Sequence, residues 1–301
     1  MRVWRPFSSA DPPGSPDTDP IGNDVTMRIL VTNDDGIDSV GLHVLARAMR
    51  PFGDVVIIAP DREFSGAGAA LGALHLIQPE VHRVEVDGID EAWSVTGPPA
   101  LCVMFARLGA FGEPFDLVVS GINPGANVGR SVYHSGTVGA ALTARNGRVS
   151  GVAVSQAVAG FGVEGQGWDE MLVGQKWQTA ADVAAAFVEG LIANLPAEPV
   201  VVNLNVPNKE LHEIRGWRFA RVGHEPPRRM STASLVPREG HEGTYTVNMQ
   251  WGEAVELPVD TDGGLVENDF VSVSYLGSIA GVDRDDLADA EGMLDKIIRP
   301  S

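Results

Sequence analysis

Only 22 lysines and arginines stand against 40 aspartates and glutamates in this 301-residue chain, and only one cysteine is present. The net charge of -18 removes the clustered basic surface that grips a nucleic-acid backbone, so a nucleic-acid duplex is not an expected partner. Small anionic substrates stay open, provided that a cation and backbone N–H groups offset the acidic field. Cys102 alone cannot form an intrachain disulfide, which fits a reducing compartment, and a cytoplasmic protein is expected. Its neighbours Leu101 and Val103 assign the thiol to packing. No uninterrupted apolar run approaches the ~18 residues that span a bilayer, so no membrane association is expected.

What is present is a hydrophobic content of 44%, enough for one large α/β unit or a unit with a smaller appendage. Residues 1–26 are rich in Pro, Ser, Asp and Gly and read as a disordered extension. From Met27 the chain alternates. Arg28 to Thr32 reads as a buried strand, and Leu42, Leu45, Ala46 and Met49 keep the spacing of a helix core stripe. Asp54 to Ala59, Leu117 to Val119, Val152 to Val154 and Val200 to Val206 continue as strands, with helices expected over Thr137 to Ala144 and Thr179 to Leu195. This order predicts a Rossmann-like, mostly parallel sheet flanked by helices over residues 27–207.

Beyond residue 207 strand-like alternation takes over in Trp217 to Val222, Thr244 to Met249 and Phe270 to Tyr275. Between these, His224 to Arg229 and Asp260 to Gly264 read as exposed loops or arms, and Asp283 to Ile298 reads as a surface helix. Residues 208–301 are therefore expected to form antiparallel or edge strands and extended arms used in oligomerisation.

In open parallel sheets ligands bind beyond the carboxyl ends of the strands. Three polar segments follow predicted strands in that way: Asn33-Asp34-Asp35-Gly36, then Pro60-Asp61-Arg62-Glu63-Phe64-Ser65-Gly66-Ala67-Gly68, then Ser120-Gly121-Ile122-Asn123-Pro124-Gly125-Ala126-Asn127-Val128-Gly129. The adjacent Asp34 and Asp35 are the most informative pair. At about 4 Å two carboxylates repel by about 1 kcal/mol in water and about 4 kcal/mol at an effective dielectric near 20. A hard divalent cation, Mg²⁺ or Mn²⁺, relieves that repulsion and favours carboxylate, hydroxyl and amide oxygens. Taken alone, Asp before Gly also suits a helix cap and a turn, and Ser65 suits a cap.

His134-Ser135-Gly136-Thr137 opens a predicted helix whose exposed N–H groups suit a phosphate, with Ser135 or Thr137 as cap. His134 reads equally as a structural histidine or as a proton-transfer group. Two other motifs fail. Gly66-Ala67-Gly68-Ala69-Ala70-Leu71 lacks the last glycine of a dinucleotide fingerprint. The haloacid-dehalogenase pattern needs aspartates one residue apart, where this chain has them adjacent.

On these residues the chain resembles the stationary-phase survival protein family SurE, metal-dependent nucleotidases that remove phosphate from nucleoside monophosphates. The resemblance runs from about Met27 to Leu276. It is carried by Arg28 to Ile37, Ala59-Pro-Asp-Arg62 with Ser65, Ser120-Gly-Ile-Asn123 with Gly125 and Asn127, His134 to Val138, and Asn203-Leu-Asn-Val-Pro207.

The resemblance implies a homodimer or homotetramer built through the C-terminal extension and one divalent metal on Asp34, Asp35, Ser65 and Asn123. It also implies 5′- or 3′-nucleotides, and in some members short polyphosphate, as substrates. Asp34, Asp35 and Asn123 become the expected catalytic residues. Asn33, Gly66, Gly125, Asn127, His134, Ser135, Gly136 and Thr137 become the expected phosphate- or substrate-binding residues. Phe64, Ala70, Gly72 and Leu101 depart from the family pattern, which usually has an Arg, a Ser, a Thr and an acid there. A nucleotide-binding sensor with little turnover and a phosphatase for a specialised phosphorylated metabolite are the alternative readings.

Overall fold

The computed structural model describes residues 26–158 apart from 75 and 77, then 172–225, 228–294 and 296–298. The expected disordered extension, 1–26, lies outside these residues except for its last one. Two groups of strands are described. The larger is a nine-stranded sheet in the order β3-β4-β2-β1-β5-β6-β7-β11-β8. Its strands are β1 (Arg28–Thr32), β2 (Asp54–Pro60), β3 (Val81–Val86), β4 (Ile89–Val95), β5 (Leu117–Pro124), β6 (Ser150–Gln156), β7 (Val201–Val206), β8 (Gly216–Phe219) and β11 (Phe270–Tyr275). Pairing is parallel from β4 through β2, β1, β5 and β6 to β7, while β3 and β11 run antiparallel to β4 and β7.

β1 forms because four of its five residues are buried, as expected of a central parallel strand covered on both faces. It sits where the strand order reverses: β2 lies on one side of it and β5 on the other. The crossover helices divide between the faces. α1 (Val40–Met49) and α4 (Trp177–Ala193) bury Leu42, Leu45, Ala46, Met49, Ala180, Ala181, Ala184 and Val188 against Ile29, Val31, Ile57 and Val119. α2 (Pro99–Arg107) and α3 (Gly136–Asn146) cover the other face, where Cys102, Val103, Ala106, Ala140 and Ala144 meet Leu30, Val56, Ile58 and Val118. The stripe expected of α1 is the one buried, and the Cys102 thiol is fully buried.

Several expectations are corrected. β3, β4 and α2 add to the expected elements. Asp260 to Gly264 is no exposed loop: it ends in α5 (Asp262–Glu267), capped by the Thr261 hydroxyl, which accepts from the Gly264 N–H at 3.2 Å. The C-terminal helix α6 is shorter than expected, Ala288–Leu294 after a single tight turn at Asp285–Leu287. Arg228 and its successor belong to β9 (Arg228–Pro237), which pairs antiparallel with β10 (Tyr245–Ala254) in a separate two-stranded sheet.

The segment beyond residue 207 is bonded into the sheet through β11 and β8, and Asp262 ties it to the loop after β5. This carboxylate is fully buried. It accepts from the N–H groups of Gly129 at 2.9 Å, Gly223 at 3.0 Å and Gly263 at 2.9 Å. Leaving buried donors unpaired costs about 1–3 kcal/mol each. Asp262→Ala should therefore lower unfolding stability by about 3 kcal/mol or more, read from urea melts, and a loss under 1 kcal/mol would contradict this account.

Candidate active site at the end of the first strand

The chain leaves β1 through Asn33, a fully buried residue whose amide closes the turn on itself. Its Nδ2 donates to the Gly36 carbonyl at 3.1 Å and its Oδ1 accepts from the Gly36 N–H at 3.3 Å. The two aspartates inside this turn are treated differently. Asp34 is 2% exposed. Its Oδ1 accepts from the Thr137 hydroxyl at 2.5 Å and its Oδ2 from the Gly136 N–H at 3.0 Å. Asp35 lies half-buried beside it, and its Oδ2 is a buried oxygen with no protein donor.

Burial pushes the Asp34 carboxyl up from its ordinary range, while hydrogen bonds from Thr137 and from nearby backbone pull the other way. Asp35 is pushed up to about 8, first by burial and then by the negative charges of Asp34 and Glu63. Burial and the neighbouring carboxylate both disfavour the charged form of Asp35, and a nearby positive charge would favour it.

The loops after β2 and β5 meet this turn. The Phe64 N–H donates to the Asp34 carbonyl at 2.7 Å, which seats Ser65 next to the aspartates, and the Gly68 N–H donates to the His134 carbonyl at 3.0 Å. Ser65 and Gly66 are exposed, and among the described residues their N–H groups donate to no protein atom. Asn123 arrives through an irregularity in β5: Ser120 pairs Ala153, yet Asn123 pairs Ser155, so β5 carries one extra residue. Such bulges re-aim side chains. Gly121 makes this one possible, with φ +139° and space for a Cβ only 2.2 Å from the Val154 carbonyl oxygen. Asn123 Nδ2 donates to the Gly125 carbonyl at 2.6 Å, leaving Oδ1 as the amide atom free to meet a cation.

Asp34, Asp35, Ser65 and Asn123 thus come from the carboxyl ends of β1, β2 and β5, two from the turn after β1, one from the loop after β2 and one from the bulged end of β5. They offer oxygen ligands alone, and among the described residues no third Asp, Glu, His or Cys joins the two carboxylates. That donor set, with the orphaned Asp35 Oδ2, fits a hard divalent ion.

Most of the expected phosphate contacts serve the framework instead. The Gly125 N–H donates to the Gln156 carbonyl at 2.7 Å, and the Gly136 N–H donates to Asp34 Oδ2 at 3.0 Å. Asn127 is buried: its N–H reaches Asn205 Oδ1 at 2.7 Å, its Nδ2 donates to the Ser155 hydroxyl at 2.8 Å, and its carbonyl accepts from the Asn203 side chain at 2.9 Å. Ser135 is the cap of α3, its hydroxyl accepting from the Val138 N–H at 3.0 Å. His134 is exposed, Thr137 is fully buried, and Asn33 spends both ends of its amide on Gly36. Gly66 keeps its expected availability.

The model of the family described as Survival protein SurE matches residues 29–229. The chain belongs to the SurE family. It is 35% identical over 252 residues to the 5′-nucleotidase SurE of Mannheimia succiniciproducens, covering 82% of this chain and 91% of the relative. The 5′-nucleotidase SurE of Acinetobacter baumannii is 36% identical over 257 residues, covering 82% and 92%. The crystal structure of the SurE protein from Aquifex aeolicus superposes with a TM-score of 0.66 at 28% identity, over 89% of this chain and 99% of that one. The family match extends over β1, β2 and β5, whose ends carry the four oxygen donors.

The raised Asp35 pKa sets a sign for metal-free stability. Unfolded, the group titrates near 3.8; folded, near 8, so between those values the unfolded chain has released a proton that the folded chain retains. Stability in EDTA should fall as pH rises through this interval, with Asp34 acting in the same direction. Melting temperatures of the wild type and Asp35→Asn between pH 5 and 8.5 test it: the variant should show the flatter profile, and parallel profiles would contradict the assignment.

Proposed function

We propose that the protein is a metal-dependent phosphomonoesterase that hydrolyses nucleoside 5′- or 3′-monophosphates to nucleoside and phosphate, with short polyphosphate as a further substrate. The observation that carries this reading is the unpartnered Asp35 Oδ2 beside the anchored Asp34, joined by Ser65 and Asn123 at the sheet edge where the strand order reverses. The printed activity of the relatives, 5′-nucleotidase, supports the reaction class.

Asp34, Asp35, Ser65 and Asn123 would hold one Mg²⁺ or Mn²⁺. Such an ion supplies positive charge against the phosphoryl oxygens and lowers the pKa of a water. The chain's own groups do the rest. Asp34, fixed by α3, presents a charge that does not turn away. Asp35 Oδ2 orients the attacking water and receives its hydrogen bond. The free N–H groups of Ser65 and Gly66 hold phosphate oxygens in a step that asks mainly for positioning and electrostatic stabilisation. Glu63 and the two aspartates offer a phosphate no positive charge of their own, which couples substrate capture to the cation.

Assembly as a homodimer or homotetramer completes the reading, with residues 208–301 as the contact region. Trp217 and Phe219 on β8 are 64% and 63% exposed. Trp217 helps line an apolar groove of about 530 Å³ with Val183, Phe187, Leu204, Val271 and Tyr275. The C-terminal segment exposes Ile279, Val282, Met293 and Leu294, and exposed apolar surface of this kind marks contact sites. Among the described residues no helix is long and apolar enough to cross a membrane, and we propose a cytoplasmic location.

Phosphate release from 5′- and 3′-nucleoside monophosphates, p-nitrophenyl phosphate and short polyphosphate, with Mn²⁺, Mg²⁺ or EDTA, tests the reaction. Turnover should appear with metal and vanish in EDTA. Asp34→Asn should reduce it by at least about 10³-fold with the fold intact, and retention of more than half the rate would sink the assignment. Light scattering at micromolar concentration should give a mass of at least two chains.

A further inference from the structure

The two threonines of α3 spend their hydroxyls differently. Thr143 donates to the Gly139 carbonyl one turn back, at 2.7 Å, the ordinary habit of a helical threonine. Thr137, at the second position of the helix, instead reaches out of it to Asp34 Oδ1 at 2.5 Å, across 103 positions of sequence. The residue ahead of it is shaped for the same contact: a Cβ on Gly136 would lie 2.7 Å from both the Cβ and the Oδ2 of Asp34. Glycine is worse than alanine in a helix by about 1 kcal/mol, and threonine also ranks below it. Helix stability alone therefore gives no reason for this pair.

Burial separates the two roles Thr137 could play. The residue has no exposed surface, and Asp34 is 2% exposed. With no exposed surface, Thr137 offers a bound phosphate no contact, whereas its hydroxyl meets Asp34 directly. Both Asp34 oxygens accept from donors at the start of α3, the Thr137 hydroxyl on Oδ1 and the Gly136 N–H on Oδ2, and a carboxylate has further lone pairs for a ligand. A carboxylate anchored in this way is already ordered when a cation arrives.

We infer that Thr137 is a positioning residue: its hydroxyl, with the Gly136 N–H, fixes the Asp34 carboxylate in the orientation that ligates the divalent cation, and it binds neither phosphate nor nucleotide. The inference rests on the metal reading above. Partners of this kind behind ligating groups are typically worth about 10- to 100-fold in metal affinity or activity.

The test is Mn²⁺ binding to the full-length, EDTA-stripped protein without nucleotide, followed by electron paramagnetic resonance. Thr137→Val keeps the shape and removes the hydroxyl, and should raise the Mn²⁺ Kd by about 10- to 100-fold. Thr137→Ser should return it to within about threefold of wild type. If the valine variant does not fold, Thr137→Ala carries the same prediction. In steady-state assays the loss in Thr137→Val should appear as a higher Mn²⁺ requirement, with the nucleotide KM at saturating Mn²⁺ little changed. Unchanged Mn²⁺ affinity in Thr137→Val, or a raised nucleotide KM with unchanged metal affinity, would overturn the inference while leaving the metal reading intact. Failure of the wild type itself to bind Mn²⁺ would overturn both.

Discussion

Two neighbouring carboxylates are held out of water at the end of one parallel strand, and much of the surrounding structure serves to make that tolerable. A buried, unpaired charge is costly unless it is hydrogen-bonded or matched by a counter-charge. The fold answers each aspartate differently. Asp34 receives the start of α3, where the Gly136 N–H and the Thr137 hydroxyl converge on its two oxygens. Asp35 receives no donor on Oδ2, which leaves that oxygen open to the cation proposed above. One carboxylate is thus fixed and the other left open. That asymmetry is what a metal site with a defined orientation needs, since two equally mobile acids would separate and two fully satisfied ones would bind nothing.

The same economy governs the polar residues of the three loops. Asn33 closes its own turn, Asn127 is gripped from β6 and β7, Ser135 caps α3, and Asp262 gathers three N–H groups from separate segments. With these groups consumed, Asp35 Oδ2, the Ser65 hydroxyl, the Ser65 and Gly66 N–H groups and Asn123 Oδ1 stay open around the acid pair, while Thr32, Asp61, Ser120 and Asn203 each keep a buried oxygen without a protein partner. A buried polar network in which nearly every member is satisfied is rigid. Reactive capacity is concentrated in the few atoms that it leaves unsatisfied.

Much of this was legible in the sequence wherever one local signal sufficed. β1 and β11 match the expected limits because apolar runs and strict alternation are local patterns. The acid pair was legible as well, since adjacent carboxylates after a buried strand repel and a cation relieves that repulsion, although a cap and a turn also suit them taken alone. The roles of Asn127, Thr137 and Asp262 were not, because their partners lie 28 and 78, 103, and 133 residues away in sequence. Thr261-Asp-Gly-Gly has the composition of a turn, and only burial against Gly129 and Gly223 converts it into a helix start. β3 is hard to read for another reason: an edge strand with exposed Val81, His82, Arg83 and Glu85 turns only Val84 and Val86 to the core, so its pattern rests mainly on pairing with β4.

The positions where the chain departs from its family bear on substrate choice unequally. Leu101, in place of an acid, is fully buried in α2, and a Cβ on Gly97 would meet its side chain at 2.6 Å, so this change alters how helix and loop pack. Phe64 lies under the Arg62 guanidinium, 5.3 Å from its ring centre, and its N–H still serves Asp34. Ala70 and Gly72 are exposed and lie just beyond Ser65, where hydroxyls missing from this chain would otherwise face solvent at the rim. None of these positions touches the contacts that fix Asp34 or leave Asp35 open, apart from the backbone of Phe64, which any residue supplies. On the proposed reading, cation binding would rest on the buried geometry of Asp34 and its neighbours, and the exposed positions Ala70 and Gly72 could vary without disturbing it.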